Sequence, residues 1–339
     1  MKKVFITLLL AIFTLPFYAV SQIPPGYYSS AEGKTGSQLK AALHDIIKGH
    51  TTYGYGSLWD ILSNTDEDPA NHNNVILIYS GISRSKSSHG GSQGDWNREH
   101  VWAKSHGGFG TTAPAGTDAH HIRPADVQVN SLRGHLDFDM GGSPVPGAPG
   151  CYKDDDSFEP RNAVKGDVAR MILYMAVRYE GDNGEPDLEV VDYVNTYPQP
   201  KHGKLSTLLE WNAQDPPDDF ERHRNDVIYY DYQHNRNPFI DHPEYVASIF
   251  GGPNSINNNP ELNVEVYPNP VSVSLTVSCG DMPGFSYALV SLTGKVLRKN
   301  NLNSGENKID VSALPRGIYF LRLFNYKKNY FHTYKIILE

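Results

Sequence analysis

The stretch DWNREHVWAKSHGGFGTTAPAGTDAHHIRPADVQVNSLRGHLDFD, residues 95–139, is dense in His, with Glu, Asp, Asn and Arg set between. Groups of this kind crowded into one segment point to metal or acid–base chemistry. Hydrolysis of a phosphodiester needs a base for water, positive charge at the phosphorus centre and help for the departing oxygen. A neutral imidazole meets the first need at physiological pH. A hard cation on oxygen ligands meets the other two, and Mg²⁺ keeps several waters and asks for only one or two protein oxygens. Glu99 and His100, followed by Asn130, contain that minimal set. No HExxH pattern and no closed Cys/His spacing is present, although Asp118-Ala119-His120-His121 carries nitrogen ligands, so an oxygen-held cation is favoured over zinc. Adjacent residues on a regular strand point to opposite faces, so Glu99 and His100 can share a site only where the strand twists, bulges or ends.

Outward from this segment, residues 164–179 place Val168, Ile172, Met175, Ala176 and Tyr179 at helical spacing, which predicts a long core helix. Residues 36–50 place Leu39, Leu43, Ile46 and Ile47 behind Ser37 and read as an amphipathic helix. A further helix is expected over 218–230, a buried strand over 75–79 and a loop over 83–94. Trp96, Trp102 and Trp211 are expected in the core rather than stacked on bases, and the acidic runs 153–156 and 180–187 on the solvated surface.

The ends of the chain differ in character from the middle. Residues 1–21 begin with Lys2 and Lys3, continue apolar and reach Ala19-Val20-Ser21, the pattern of an export signal. No later segment approaches the roughly 20 apolar residues of a membrane span. Residues 253–262 lack apolar periodicity and read as a linker. Beyond it, short β-prone runs at Leu275 and Val277, 288–290, Val296 and Leu297, and 318–323 suggest a small antiparallel β-sandwich. Cys151 and Cys279 fall on either side of the linker and are expected as free thiols. The net charge of −8 argues against a protein that grips nucleic acid by charge alone, but not against an enzyme with a few local cations.

Four blocks in order, Arg98-Glu99-His100-Val101, Asp118-Ala119-His120 with Pro124, Val129-Asn130 with Arg133 and Phe138, and Ala169-Arg170 with Tyr174-Met175, are joined by a later Asn235-Arg236-Asn237-Pro238-Phe239. Over residues 36–245 these resemble the endonuclease I family, secreted and periplasmic non-specific nucleases built on a ββα-metal finger. The resemblance implies His100 as general base and Glu99 and Asn130 as ligands of a divalent cation, Mg²⁺ first, with Mn²⁺ or Ca²⁺ as alternatives. Arg133, three residues beyond Asn130, would share its helix face and reach the scissile phosphate. His120 and Asp118 would lie behind His100 and orient it, with His120 also a candidate for substrate contact. Some relatives supply a product-stabilising Arg from a loop after the Glu-His block. Residues 107–116 contain none, which leaves Arg98, Arg123 or Arg133 to replace it.

The segments Val266-Tyr267-Pro268-Asn269-Pro270, Leu292-Thr293-Gly294-Lys295, Leu314-Pro315-Arg316-Gly317-Ile318-Tyr319 and Tyr334-Lys335-Ile336-Ile337-Leu338 resemble the C-terminal sorting domain of type IX secretion cargo. Together the readings predict an α+β chain: signal 1–21, a mainly helical nuclease domain with a ββα-metal finger over 22–252, linker 253–262 and a β-sandwich sorting domain over 263–339. The expected product is a secreted monomer that hydrolyses DNA and RNA and is exported by type IX machinery. Two other classes compete: a secreted zinc hydrolase of another substrate, and a surface-binding protein with an inactive nuclease domain.

Overall fold

The structure is a computed structural model that describes residues 23–251, 264–280, 284–291, 296–325 and 330–339. The expected signal and linker lie outside these residues, as does the Leu292-Thr293-Gly294-Lys295 turn.

Helices and short strands are interspersed through residues 23–251. The helices are α1 (Gly36–Ile47), α2 (Leu58–Thr65), α3 (Val127–Arg133), α4 (Lys165–Arg178), α5 (Leu205–Gln214), α6 (Asp219–Val227), α7 (Pro238–Asp241) and α8 (Glu244–Phe250). The strands are β1 (Glu67–Asp68), β2 (Asn71–Ile76), β3 (Ser83–Ser85), β4 (Trp96–His100), β5 (Ile122–Asp126), β6 (Asp137–Phe138), β7 (Ser143–Pro144), β8 (Tyr152–Lys153), β9 (Ser157–Glu159), β10 (Glu189–Val190) and β11 (Lys201–His202). This is a mixed α/β unit, and eleven short strands among the described residues stand beside the helices that were expected to dominate.

The helix expected over 164–179 is the centre of the unit. Every residue of α4 is buried, and it packs against α1, α5 and α7. Its apolar side chains, Val168, Ile172 and Met175 among them, anchor the largest apolar cluster. A helix hydrophobic on one stripe but buried all round must pair its charges, and it does so: Arg170 donates to Glu221, and Arg178 to Glu185 at 2.6 Å. Helix α1 also forms as expected, with Leu39, Leu43 and Ile47 turned inward. The helix expected over 218–230 is α6, capped by the Asp218 side chain on Glu221 N at 2.9 Å, and it winds into a wider turn over Ile228–Tyr232.

Two local expectations are corrected. The strand expected over 75–79 leaves its ladder after Ile76, although Leu77, Ile78 and Tyr79 remain fully buried. The expected loop over 83–94 opens with β3, which pairs with β2 through Asn74 and Ser85. An apolar run records burial, and burial alone does not specify ladder hydrogen bonds. Trp96, Trp102 and Trp211 are buried, and both cysteines are free and buried, as expected.

In the C-terminal residues, β12 (Glu265–Tyr267), β13 (Ser274–Ser278) and β16 (Glu306–Asp310) form one antiparallel sheet. β14 (Ser286–Ser291), β15 (Val296–Asn301), β17 (Gly317–Asn325) and β18 (Tyr330–Leu338) form the other. Leu275, Val277 and Ile309 from the first sheet and Leu289, Leu321, Leu323 and Ile336 from the second bury together in one apolar cluster. Among the described residues no helix is long and apolar enough to cross a membrane.

If α4 is the keystone of the core, Ile172→Ala leaves a cavity that the fully surrounded helix cannot close. It should lower the unfolding free energy by about 2–5 kcal/mol, read from urea denaturation.

Candidate active site

Strands β4 and β5 are antiparallel and in regular register, Glu99 opposite Arg123 and His100 opposite Ile122. Helix α3 follows β5 at once. Asp126 closes the strand and caps the helix, accepting from Gln128 N at 2.9 Å and Val129 N at 3.3 Å, while Arg84 holds its other oxygen at 2.7 Å. That cap fixes where the first helical turn begins and so where Asn130 emerges. No bulge occurs at Glu99 and His100. The strand ends at His100, and both residues line one cleft of about 480 Å³, together with Asn97, Arg98, Lys104, Asn130 and His135. Two-stranded ribbons twist more than wide sheets, so neighbours at a strand end can face a common space.

Glu99 is buried. Its Oε1 accepts from the Tyr79 hydroxyl at 2.7 Å and lies 3.4 Å from Arg133 Nη1, so both partners engage one oxygen and leave Oε2 to neither. Burial pushes the carboxyl up, against the pull of Arg133 and the Tyr79 hydroxyl. Asn130 donates through Nδ2 to Asn97 Oδ1 at 2.7 Å, which turns its own Oδ1 away from that bond. One carboxylate oxygen and one amide oxygen on a single cleft suit a hard divalent cation that retains most of its waters.

His100 has Nε2 3.1 Å from the Gly116 carbonyl oxygen. A carbonyl only accepts, so the proton sits on Nε2 and the lone pair on Nδ1. Burial first, then His121, Lys104 and Arg98, hold the imidazole well below the usual histidine range and keep it neutral. The loop that offers this carbonyl tolerates no side chain at Gly116, where a Cβ would stand 2.7 Å from the Gly110 carbonyl oxygen.

A column of rings and one guanidinium leads to His100. His89 stacks on Trp59 at 4.4 Å, Arg98 lies over Trp59 at 3.8 Å and over Tyr55 at 3.6 Å, and Tyr55 stacks on His100 at 5.8 Å. Arg98 also donates to the Tyr55 carbonyl at 2.7 Å. Its Nε is buried without a partner, and the residue lines the cleft. Stacking therefore holds a partly exposed cation in one position beside His100.

The other candidates lie elsewhere. Arg123 is buried in ion pairs with Asp66 and, at 3.1 Å, Asp167, so it cannot reach a substrate. Arg133 is also buried: it donates to the His100 carbonyl at 3.0 Å and the Val101 carbonyl at 2.6 Å, and it backs Glu99 instead of entering the cleft. Of the three arginines proposed for the substrate, only Arg98 lines the cleft. His120 is buried against Tyr174 and bonds the Asn235 carbonyl at 3.1 Å, and burial pushes its imidazole down to about 4. Asp118 does not touch His100. It accepts from Tyr174, Tyr179 and Gln233 side chains, each at 2.9 Å, and ties the segment before β5 to α4. Lys104, Tyr55, Trp59 and His135 were missed, since nothing in their local pattern separates them from surface or core residues.

His106, Asp137 and His202 bring potential ligand atoms within 4.8 Å of one another. Most of those atoms also have hydrogen-bond neighbours. The two ring nitrogens of His106 face the Lys201 and His135 carbonyl oxygens, both at 2.7 Å. His202 bonds Gly203 O at 3.0 Å and Arg133 at 3.2 Å. Asp137 accepts from Thr196 and Gly203. The trio is tied into a hydrogen-bond network, yet a neutral His106 can donate to only one of its two carbonyls and keeps one lone pair, so the cluster retains atoms able to hold a metal ion.

Comparison with known proteins gives a consistent picture. The family described as Endonuclease I matches residues 35–244, and the one described as Secretion system C-terminal sorting domain matches 265–339. An extracellular ribonuclease of Bacillus amyloliquefaciens is 65% identical over 224 residues, 66% of this chain and 78% of its own. One of Bacillus subtilis (strain 168) is 64% identical over the same spans. A solved structure of PorZ, a surface component of the type-IX secretion system of Porphyromonas gingivalis, overlaps 27% of this chain and 13% of its own at 19% identity. Its TM-score of 0.22 is too low to support any argument about fold.

If Arg123 serves the fold and not the cleft, Arg123→Met strands Asp66 and Asp167 partly unpaired. It should lower the unfolding free energy by about 3–5 kcal/mol in chemical denaturation, with little change in the turnover of the folded protein.

Proposed function

Because the chain belongs to the Endonuclease I family, we propose that it is a non-specific endonuclease that hydrolyses phosphodiester bonds in RNA and DNA with a divalent cation. The observation that carries this reading is the neutral His100, with its lone pair on Nδ1, sharing a cleft with the oxygens of Glu99 and Asn130. On this reading β4, β5 and α3 serve as a ββα-metal finger. The curated relatives named above are extracellular ribonucleases, which supports RNA as a substrate. Contacts to phosphate carry no base identity, which supports broad specificity.

Glu99 and Asn130 would hold the cation, with Mg²⁺ the best fit to two hard oxygens and Mn²⁺ or Ca²⁺ sharing that preference. When bound, it supplies positive charge to the phosphoryl oxygens and the leaving group. His100 takes a proton from water through Nδ1 while Nε2 remains on Gly116. The water oxygen forms the new bond to phosphorus, the bond to the leaving sugar oxygen breaks in line, and that oxygen takes a proton from solvent. Arg98, held by its stack, neutralises the phosphate. The chemistry needs no 2′-hydroxyl, so both nucleic acids qualify.

The chain is a secreted or cell-surface protein, and its C-terminal domain marks it as cargo of type IX secretion.

Four measurements test this reading. His100→Ala should abolish plasmid nicking and RNA digestion while the circular dichroism stays unchanged; unchanged turnover would remove His100 from its role. Arg98→Ala should lower kcat/KM by about 10- to 100-fold, the worth of one charged hydrogen bond, and EDTA should stop cleavage until Mg²⁺ is returned. With water as nucleophile, RNA digests should contain no 2′,3′-cyclic phosphate by mass spectrometry.

A further inference from the structure

We propose that His135 and Tyr197 form a stacking subsite for an unpaired nucleobase beside the scissile phosphate, an inference that rests on the nuclease reading above. His135 is exposed and lines the cleft, five positions beyond Asn130. Its ring lies against Tyr197, centroids 4.1 Å apart and planes 32° apart, and Tyr197 is 50% exposed. The other rings of the cleft are already engaged, Trp59 by Arg98 and His89, and Tyr55 by Arg98 and His100. His135 and Tyr197 also touch His106, but both are exposed, whereas Tyr55 and Trp59 are only half-exposed, so the pair offers the more open aromatic face beside the cleft.

The pair is built on a rigid base. The buried His106 ring sits 2.7 Å from the His135 carbonyl oxygen, fixing the backbone beneath one ring. Thr196, which precedes Tyr197, is buried and donates its N–H and hydroxyl to Asp137 at 2.8 Å and 2.7 Å, fixing the backbone beneath the other. Beyond Tyr197, the Pro198 carbonyl accepts from Gly107 N at 3.2 Å. The His106, Asp137 and His202 network thus stiffens two segments distant in sequence so that their rings meet beside the cleft. A base can lie on such a surface only when it has left its own stack, so the subsite selects single-stranded or frayed substrate. Every base has a π-face, so stacking here would not impose a sequence.

The test uses single-stranded DNA oligonucleotides carrying one abasic residue, moved in turn along the positions flanking the cleaved bond. For the wild-type protein with Mg²⁺, kcat/KM should fall by about tenfold at one position and little elsewhere. Tyr197→Ala should lose about tenfold on intact substrate and show no further loss at that position, whereas Tyr197→Phe should behave as wild type. An abasic penalty unchanged in Tyr197→Ala, or absent from the wild type, overturns the subsite. If the wild-type protein cleaves nothing, the nuclease reading fails instead, and the subsite is still tested by binding in EDTA. A 2-aminopurine oligonucleotide should be quenched by wild type and Tyr197→Phe but not by Tyr197→Ala; equal quenching by all three overturns it.

Discussion

The site depends on one buried guanidinium. Arg133, at the end of α3, reaches back to the last carbonyl of β4, at His100, and to that of Val101 just beyond it, and lies 3.4 Å from the Glu99 carboxylate. A carboxyl group buried alone would be driven towards its neutral form, and a neutral carboxyl is a poor ligand for a cation. The guanidinium opposes that shift, and its planar fork satisfies two carbonyls at once, which an ammonium could not do in the same geometry. Its Nη2 also meets His202 Nε2 at 3.2 Å, and its face lies over Phe138 at 4.7 Å, so Arg133 also joins the finger to the chain beyond α3. Strand end, carboxylate and helix are thereby held as one body.

Around that body the protein separates charges that hold the fold from charges that face the cleft. Arg123, Arg170, Arg178, Arg224 and Arg236 are buried, each in contact with a carboxylate. Such pairs add little net stability over apolar packing but are costly to break, so they fix which segments meet. Arg98 and Lys104 are left for the cleft, one locked between aromatic rings and one exposed. A protein of net charge −8 can present a positive site in this way, because field in a cleft reflects nearby groups more than the total.

The chain also divides its tasks along its length. Apolar side chains of residues 28–246 build the core beneath the cleft, and those of residues 271–338 build a second cluster between two antiparallel sheets. Chemistry belongs to the first segment and export to the second.

Much of this was legible in the sequence. The 3.6-residue period exposed α1 and α4, because an amphipathic pattern is written locally in the residues that form it. Glu99, His100 and Asn130 could be singled out by residue type and order alone, and the structure brings all three to one cleft. The roles of Arg98, Arg123, Arg133 and His120 were not legible. A guanidinium or imidazole has the same composition whether it faces solvent or is enclosed, and what encloses these four arrives from Tyr55 and Trp59, from Asp66 and Asp167, from His202, and from Tyr174 and Asn235. The sequence by itself determined which groups could do chemistry and which helices would form, since both follow from residue type and local spacing. Tertiary structure alone decided which charges would be buried as struts and which rings would meet at the cleft, since burial and stacking are set by segments far apart in the chain.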